Sequence, residues 1–349
     1  MTANGRLKVA VLGASGYTGA ELLRLLAGHH GIEVAALTAD RRAGEPMGAV
    51  FPHLAHLDLP DLVAIDDVDW ELVDAAFCCL PHGTTQEVVA GLPAHLKIVD
   101  LSADFRLHDP AVYAEWYGHA HQALELQKQA VYGLTEVKRE KVRGARLVAN
   151  PGCYTTTAEL PLIPCLEEKL VETGDIIIDA KSGVSGAGRS AKEGNLHTEV
   201  SEGIHAYGVG AHRHTPEIEQ ELSEAAGEPI TVNFTPHLMP MNRGILATIY
   251  VRLKDGATAE DLRAALARRY AGEHFVKLVP QGQAPATRHV RGSNLCLIGV
   301  FADRVPGRAI LVSALDNLVK GASGQALQNL NVMAGFDETA GLPTVALFP

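Results

Sequence analysis

The sequence predicts an α/β chain of two domains, a doubly wound, mostly parallel sheet first and an α+β domain on a mixed or antiparallel sheet after it. Three observations predict this. Strand-like and helix-like segments alternate through the first 150 residues, the pattern of repeated βα units. A glycine-rich turn joins the first strand to the first helix. Beyond residue 150, strand-like runs follow one another with few helices between them.

The elements read in order. Leu7–Leu12 is a short apolar run, as expected of a buried parallel strand. Ala20–Ala27 reads as a helix that stops at Gly28. Glu33–Thr38 is a second strand, and Asp69–Asp74 a short helix. Ala75–Leu80 is a strand, Thr84–Gly91 a helix and Leu96–Leu101 a strand. Arg146–Ala149 closes the series. A helix is expected to begin at Cys153 or Tyr154, and Pro161 and Pro164 are expected to kink or end it. The later strands are Asp175–Asp179, Ile230–Phe234, Gly244–Val251, Leu295–Phe301 and Ala309–Ser313. The later helices are Thr215–Ala225, Ala259–Tyr270 and Asp316–Asn331.

Composition excludes several classes. Of 349 residues, 47% are apolar and 20% charged, too apolar for a disordered chain. No heptads or short repeats mark a coiled coil or solenoid. No run of about 18 apolar residues exists to span a bilayer. The start, Met1–Lys8, carries no signal-peptide core, so a cytoplasmic protein is expected. A net charge of −11 speaks against nucleic-acid binding, which favours a basic face. Five cysteines, an odd number in a large chain, do not read as a disulfide framework.

The turn Gly13-Ala-Ser-Gly-Tyr-Thr-Gly19 has the spacing G-x-x-G-x-x-G, close to the dinucleotide fingerprint of Rossmann-type domains. Its glycines allow a tight turn, and the helix beyond offers N–H groups to a phosphate. The second strand ends in Thr38, a neutral residue, followed by Asp40, Arg41 and Arg42. An acid at the strand end suits the ribose hydroxyl of NAD, and a nearby arginine suits the 2′-phosphate of NADP. The pattern favours NADP. The alternative is Asp40 on the ribose beside a solvated arginine pair.

Cys153 follows Asn150-Pro-Gly152 at the expected start of a helix, where orphan N–H groups and the helix dipole favour a thiolate. Cys78, Cys165 and Cys296 lie within apolar sequence, so Cys153 is the candidate nucleophile. His212-Arg213-His214 supplies two imidazoles and a guanidinium just before a helix, with Thr215 read as its N-cap and Pro216 as its first residue. An imidazole beside a thiol can carry its proton, and Arg213 can hold an anion. His-x-His without a third ligand is a poor metal signal, and no metal is expected. Lys181–Ser190, with Arg189, is a second polar glycine loop after a strand. Ser102–Arg106 offers another guanidinium past a strand end. Three such loops favour an anionic substrate over plain polar turns.

Seven ordered motifs then resemble one family across essentially the whole chain. They are Gly13–Gly19, Leu80-Pro81-His82-Gly83, Asp100–Arg106, Asn150–Tyr154, Lys181–Gly188, His212–Ile218 and Asp316–Gln325. Together they resemble the N-acetyl-γ-glutamyl-phosphate reductases of arginine biosynthesis. The resemblance implies a Rossmann domain and an α+β catalytic domain like that of aspartate-semialdehyde dehydrogenase. On it, residues 1–150 and 316–349 form the NADP-binding domain, and 151–315 the catalytic and dimerisation domain. It implies reduction of an acyl phosphate to an aldehyde by NADPH, through a thioester on Cys153, in a homo-oligomer (dimer or tetramer). His212 and His214 both belong to the implied site, and which of them is the acid/base stays open. Arg106, Ser182, Ser185, Arg189 and Arg213 are the implied ligands of phosphate and carboxylate. Gly13, Ser15, Gly16, Tyr17, Thr18, Gly19, Thr38 and Arg41 are implied for the adenosine and phosphates of NADP(H). Leu80, Pro81, His82, Gly83, Ser182, Gly183 and Asn317 are implied nearer the nicotinamide, and Ser102 with the cofactor set. Alternatives of other kinds are a reductase of carrier-protein-bound aminoadipyl phosphate in lysine biosynthesis, a silent NADP sensor, and a Cys-His hydrolase without nicotinamide.

Overall fold

The structure, a computed structural model, describes residues 5–349, so the first part of the Met1–Lys8 start lies outside the described residues. The chain divides into two compact units. Unit 1 holds the residues up to Pro151 with Ala322–Leu342, and unit 2 holds Gly152–Gly321 with Pro343–Pro349. The chain thus re-enters unit 1 at Ala322, a few residues after the motif at Asp316, and its last segment packs in unit 2.

Among the described residues unit 1 is built on seven strands: β1 (Leu7–Leu12), β2 (Ile32–Thr38), β3 (Leu62–Val63), β4 (Ala75–Cys78), β5 (Lys97–Asp100), β6 (Val131–Tyr132) and β7 (Leu147–Ala149). Their order is β3-β2-β1-β4-β5-β7-β6, with every neighbouring pair parallel. The central strands carry near-continuous apolar runs because both faces are covered, and Val9–Leu12 and Ala75–Cys78 are fully buried. The order reverses between β1 and β4, so the glycine turn after β1 sits at the switch point where such sheets bind ligands.

Unit 2 contains β8 (Ile176–Gly183), β9 (His205–Ala206), β10 (Val232–Met239), β11 (Ile245–Arg252), β12 (Val276–Leu278), β13 (Cys296–Ala302) and β14 (Arg308–Leu315). The order is β12-β13-β14-β11-β8-β10-β9. Only β8–β10 and β12–β13 are parallel, which makes the sheet mixed. Alternation separates two faces. Ile176, Ile178, Ile245, Ile249 and Leu311 are buried on the face packed by the helices Cys153–Glu167 and Ala259–Tyr270. On the other face Ile177, Tyr250, Ile310 and Phe301 are cross-strand neighbours in one half-exposed row.

The structure corrects several sequence readings. Pro161 and Pro164 do not end their helix, which runs unbroken from Cys153 to Glu167. A helical proline deprives the carbonyl four residues earlier of its donor, at a cost of about 3 kcal/mol. Here both orphaned carbonyls find side chains: Ser313 Oγ donates to Thr157 O at 2.6 Å, and Tyr270 Oη to Leu160 O at 2.7 Å. The helix expected over Asp316–Asn331 is three pieces: a turn at Asp316, a π-helical stretch Val319–Ser323 and an α-helix Gly324–Ala334. Asp316 accepts the N–H groups of Leu318 and Val319, which fixes a turn in place of a first helical turn. His214, not Thr215, is the N-cap of the helix Thr215–Ala226, and Pro216 stands one position further in. Asp69–Asp74 contracts to a single 3-10 turn, Trp70–Leu72, with Asp69 capping Glu71 N–H. The first helix starts earlier than expected, at Tyr17, so half of the glycine motif is helix N-terminus. The short strands β3, β6, β9 and β12 and the helices Pro110–Tyr117 and Thr135–Gly144 escaped the sequence reading.

Candidate active site

In unit 2, Gly152 is the N-cap and Cys153 the first residue of its helix. Gly152 N–H donates to Glu217 Oε1 at 2.8 Å, and Thr155 Oγ1 lies 2.9 Å from the same oxygen. Glu217 is buried and thereby fastens the nucleophile turn to the helix Thr215–Ala226. Sequence reasoning gave Glu217 no role. The available signal was its position one helical turn after His214. A side chain on Gly152 would strike the His214 ring, with Cβ only 2.5 Å from Nε2, so glycine lets that imidazole lie against the backbone beside Cys153. Cys153 is half-buried. Three other thiols are poorer nucleophiles, since burial pushes Cys79 and Cys165 up to about 12 and Cys78 well above its ordinary value, and Cys296 is buried. All five cysteines are free.

The two histidines differ. His212 Nδ1 accepts the backbone N–H of His214 at 3.1 Å, which leaves the proton of a neutral ring on Nε2. Burial, aided by the neighbouring Arg213, lowers His212 to about 4. Its ring meets the edges of Tyr154, Tyr207 and Phe234 at centroid separations of 5.3–5.6 Å. At neutral pH His212 is therefore an uncharged donor. His214 stacks edge-on against it at 4.8 Å. Tyr207 donates to the Tyr154 hydroxyl at 3.0 Å, and Tyr154 to His237 O at 3.2 Å, so the aromatic wall is itself hydrogen-bonded.

The loop after β8 lies against the turn before β11. Ser185 N–H donates to Asn242 O, and Gly183 N–H to Gly244 O. Ser182 is buried, its hydroxyl on Gly183 O at 3.0 Å. Asn317 is buried, accepting Gly244 N–H at 2.8 Å and donating to Ser185 Oγ at 2.9 Å. Ser182, Gly183, Ser185 and Asn317 thus come together in one cluster. Arg189 and Arg213 are exposed.

In unit 1, Gly13 has φ +75°, and a Cβ there would lie 2.5 Å from Cys79 O, so only glycine fits the turn. Thr38 is buried and its Oγ1 accepts Gly13 N–H at 3.3 Å, so its hydroxyl braces the turn from within the protein. Gly16 caps the first helix without a side-chain bond. A Cβ on Gly16 would meet nothing of the chain closer than 3.5 Å, so the fold leaves room for a group from outside. The first-turn N–H groups of Tyr17, Thr18 and Gly19 have no acceptor inside their helix. This cradle fits a dinucleotide pyrophosphate. Ser15 adjoins it, half-buried. Arg42 is paired with Glu45 at 3.1 Å, whereas the exposed Arg41 side chain makes no ion pair among the described residues.

The loops Leu80–Gly83 and Ser102–Arg106 are tied together. Ala103 N–H donates to His82 Nδ1 at 2.9 Å, and Asp104 accepts Gly83 N–H at 2.7 Å and Thr85 N–H at 2.9 Å. Leu80 is half-buried; Pro81, His82 and Gly83 are exposed. Ser102 is buried and donates to Asp100 Oδ2 at 2.7 Å. Burial lifts Asp100 to about 7 despite that bond. Arg106 is 4% exposed, its Nη2 on Leu101 O at 2.8 Å.

Comparisons with known proteins follow the same division. Residues 8–145 match the model for the semialdehyde dehydrogenase NAD binding domain, and 153–317 that for the semialdehyde dehydrogenase dimerisation domain. The chain is 64% identical to the N-acetyl-gamma-glutamyl-phosphate reductase of Rhodospirillum rubrum over 99% of both chains. It is 63% identical to that of Afipia carboxidovorans over 97% of this chain and 98% of the relative. It is 62% identical to a probable chloroplastic one of rice over 98% and 83%. Among solved structures, aspartate semialdehyde dehydrogenase II of Vibrio cholerae superposes with a TM-score of 0.72 at 18% identity, covering 95% of this chain and 99% of that one. The Candida albicans aspartate semialdehyde dehydrogenase with NADP gives 0.64 at 17%, covering 94% and 98%. At such identities these two likenesses speak for the fold.

Proposed function

The chain belongs to the N-acetyl-gamma-glutamyl-phosphate reductase family, and from that premise we propose how its own residues carry the reaction. It is an NADP-dependent oxidoreductase that reduces N-acetyl-L-glutamyl 5-phosphate to the 5-semialdehyde and phosphate, a step of arginine biosynthesis. Unit 1 is the cofactor domain and unit 2 the catalytic domain. The observation that carries the mechanism is Cys153 at a helix start with the His214 ring against the adjoining Gly152.

His214 takes the proton of Cys153, because the Nδ1 of His212 is already an acceptor and its ring resists protonation. Sγ attacks the acyl carbon; the C–S bond forms, the C–O bond to phosphate breaks, and the proton leaves with phosphate. Bound NADPH supplies the hydride that reduces the thioester carbon. His212 Nε2–H and the first-turn N–H groups of the Cys153 helix hold the oxyanion in both steps. The oxyanion collapses, Sγ is expelled as thiolate, and His214 returns a proton from water. Glu217 keeps the turn aligned.

Arg189 and Arg213 with Ser182 and Ser185 are the candidates in unit 2 for the anionic groups of the substrate, and Arg106 is the candidate in unit 1. The glycine turn binds the pyrophosphate, with Tyr17 and Thr18 at its helix start, and Arg41, which makes no ion pair among the described residues, meets the 2′-phosphate. Thr38 acts by bracing Gly13. Leu80–Gly83 and Ser102 in unit 1, and Gly183 and Asn317 in unit 2, are our candidates for the nicotinamide. Two copies associate through the half-exposed row Ile177–Tyr250–Ile310–Phe301 of unit 2. Five free thiols fit a cytoplasmic setting. No helix among the described residues is long and apolar enough to cross a membrane.

The test is phosphate-dependent reduction of NADP+ with N-acetylglutamate semialdehyde, beside aspartate semialdehyde and a carrier-bound aminoadipate semialdehyde. Turnover with the first alone is expected. Preference for either competitor overturns the substrate reading.

A further inference from the structure

The substrate named above carries two anionic ends, an acyl phosphate that departs and an α-carboxylate that stays through both half-reactions. The arginines that the sequence singled out in unit 2, Arg189 and Arg213, are exposed. A third arginine, Arg243, was not singled out and is placed differently. It lies in the turn between β10 and β11, which runs against the Ser182–Gly188 loop. The approach is so close that a Cβ on Gly183 would come within 2.7 Å of Arg243 N. Ser185 N–H donates to Asn242 O on one side of Arg243, and Asn317 accepts Gly244 N–H on the other.

The Arg243 side chain is 27% exposed, and its Nη1 stands 3.5 Å from Oδ2 of the fully buried Asp316. Asp316 is held in turn: Oδ2 accepts Gly292 N–H at 2.7 Å and Oδ1 accepts Leu318 N–H at 2.9 Å. The same turn leads to Gly321, whose N–H donates to Asp316 O. Gly321 touches the nucleophile, since a Cβ there would lie 2.8 Å from Cys153 Cβ. A partly exposed guanidinium therefore sits on a rigid carboxylate, in the polar loop cluster and one turn of chain from Cys153.

We propose that Arg243, oriented by Asp316, is the specificity residue that binds the substrate's α-carboxylate. A guanidinium presents a planar fork of donors matched to a carboxylate, and fixing it beforehand lowers the cost of binding. A carboxylate that must hold its place while phosphate leaves and hydride arrives is well served by an arginine that is itself anchored. The inference rests on the reaction proposed above.

The experiment runs the reaction from semialdehyde, phosphate and NADP+ with wild type, Arg243→Gln and Arg243→Lys. Each enzyme is assayed on N-acetylglutamate semialdehyde and on 4-acetamidobutanal, the same aldehyde without its carboxylate. Wild type is expected to prefer the carboxylated aldehyde. Arg243→Gln should raise its KM about 10–100-fold, as for a lost charged hydrogen bond, and bring the kcat/KM ratio of the two aldehydes near one. KM for phosphate and NADP+ should stay within about twofold, and Arg243→Lys should recover only part of the preference. That ratio is independent of the fraction of enzyme correctly folded. Retention of the wild-type ratio in Arg243→Gln, or a rise confined to the KM for phosphate, overturns the inference. Wild type inactive on both aldehydes would overturn the functional reading instead.

Discussion

His212 and His214 are two residues apart, yet their rings are prepared for opposite tasks. The sequence shows a pair of imidazoles before a helix and no more. Which ring takes a proton depends on a backbone N–H two residues on, on the nearby Tyr207, and on Tyr154 and Phe234, brought from the Cys153 helix and from β10. Spacing could not carry that information. It did carry Cys153, because a cysteine after Pro-Gly at a helix start is a local feature. His214→Asn is expected to lower kcat by about 10²–10⁴-fold in initial-rate assays. His212 titrates at 6.5 unfolded and at about 4 folded, so the unfolded chain binds more protons in between. Stability from this residue is present above pH 6.5 and declines as pH falls towards 4. Thermal melts of His212→Gln should show a flatter decline over that window. An unchanged slope would mean that the ring is not held neutral.

The helix Cys153–Glu167 shows the same limit at the scale of an element. Two prolines read as breakers in sequence, and the rule behind that reading is sound. It fails here because Ser313 and Tyr270, 156 and 110 residues along the chain, replace the missing donors. The continuous helix then keeps the nucleophile at its first residue and its body against β11 and β14. Removing either donor leaves a buried carbonyl without a partner. Ser313→Ala and Tyr270→Phe should each lose about 1–3 kcal/mol in urea unfolding, with little change in slope. Effects below about 0.5 kcal/mol for both would show that the prolines are tolerated for another reason. By contrast the bounds of the helix Ala259–Tyr270 match the sequence reading to the residue, and the structure shows a local capping box there, Thr258 with Asp261 three positions on.

At the scale of the whole molecule, the sequence marked the longer strands of unit 2 and a mixed or antiparallel sheet, but not their order. The order β12-β13-β14-β11-β8-β10-β9 joins strands far apart in the chain, and no local pattern encodes such partners. Unit 1 was easier, because parallel βα repeats leave few topologies. The open row of unit 2 has a measurable consequence. Tyr250→Asp, on a half-exposed position, should preserve the fold by circular dichroism while shifting the sedimenting species from oligomer towards monomer. An oligomer unchanged at micromolar concentration would mean that association uses another face. In the reaction proposed above, the acyl group passes through Cys153. Enzyme without nicotinamide, mixed with N-acetylglutamyl phosphate and quenched in acid within milliseconds, can be weighed intact and after digestion. The account predicts one N-acetylglutamyl group per chain on the peptide bearing Cys153, released as semialdehyde when NADPH is added before the quench. An enzyme that carries no acyl group there, and whose Cys153→Ala variant still turns over at near wild-type rate, would contradict it.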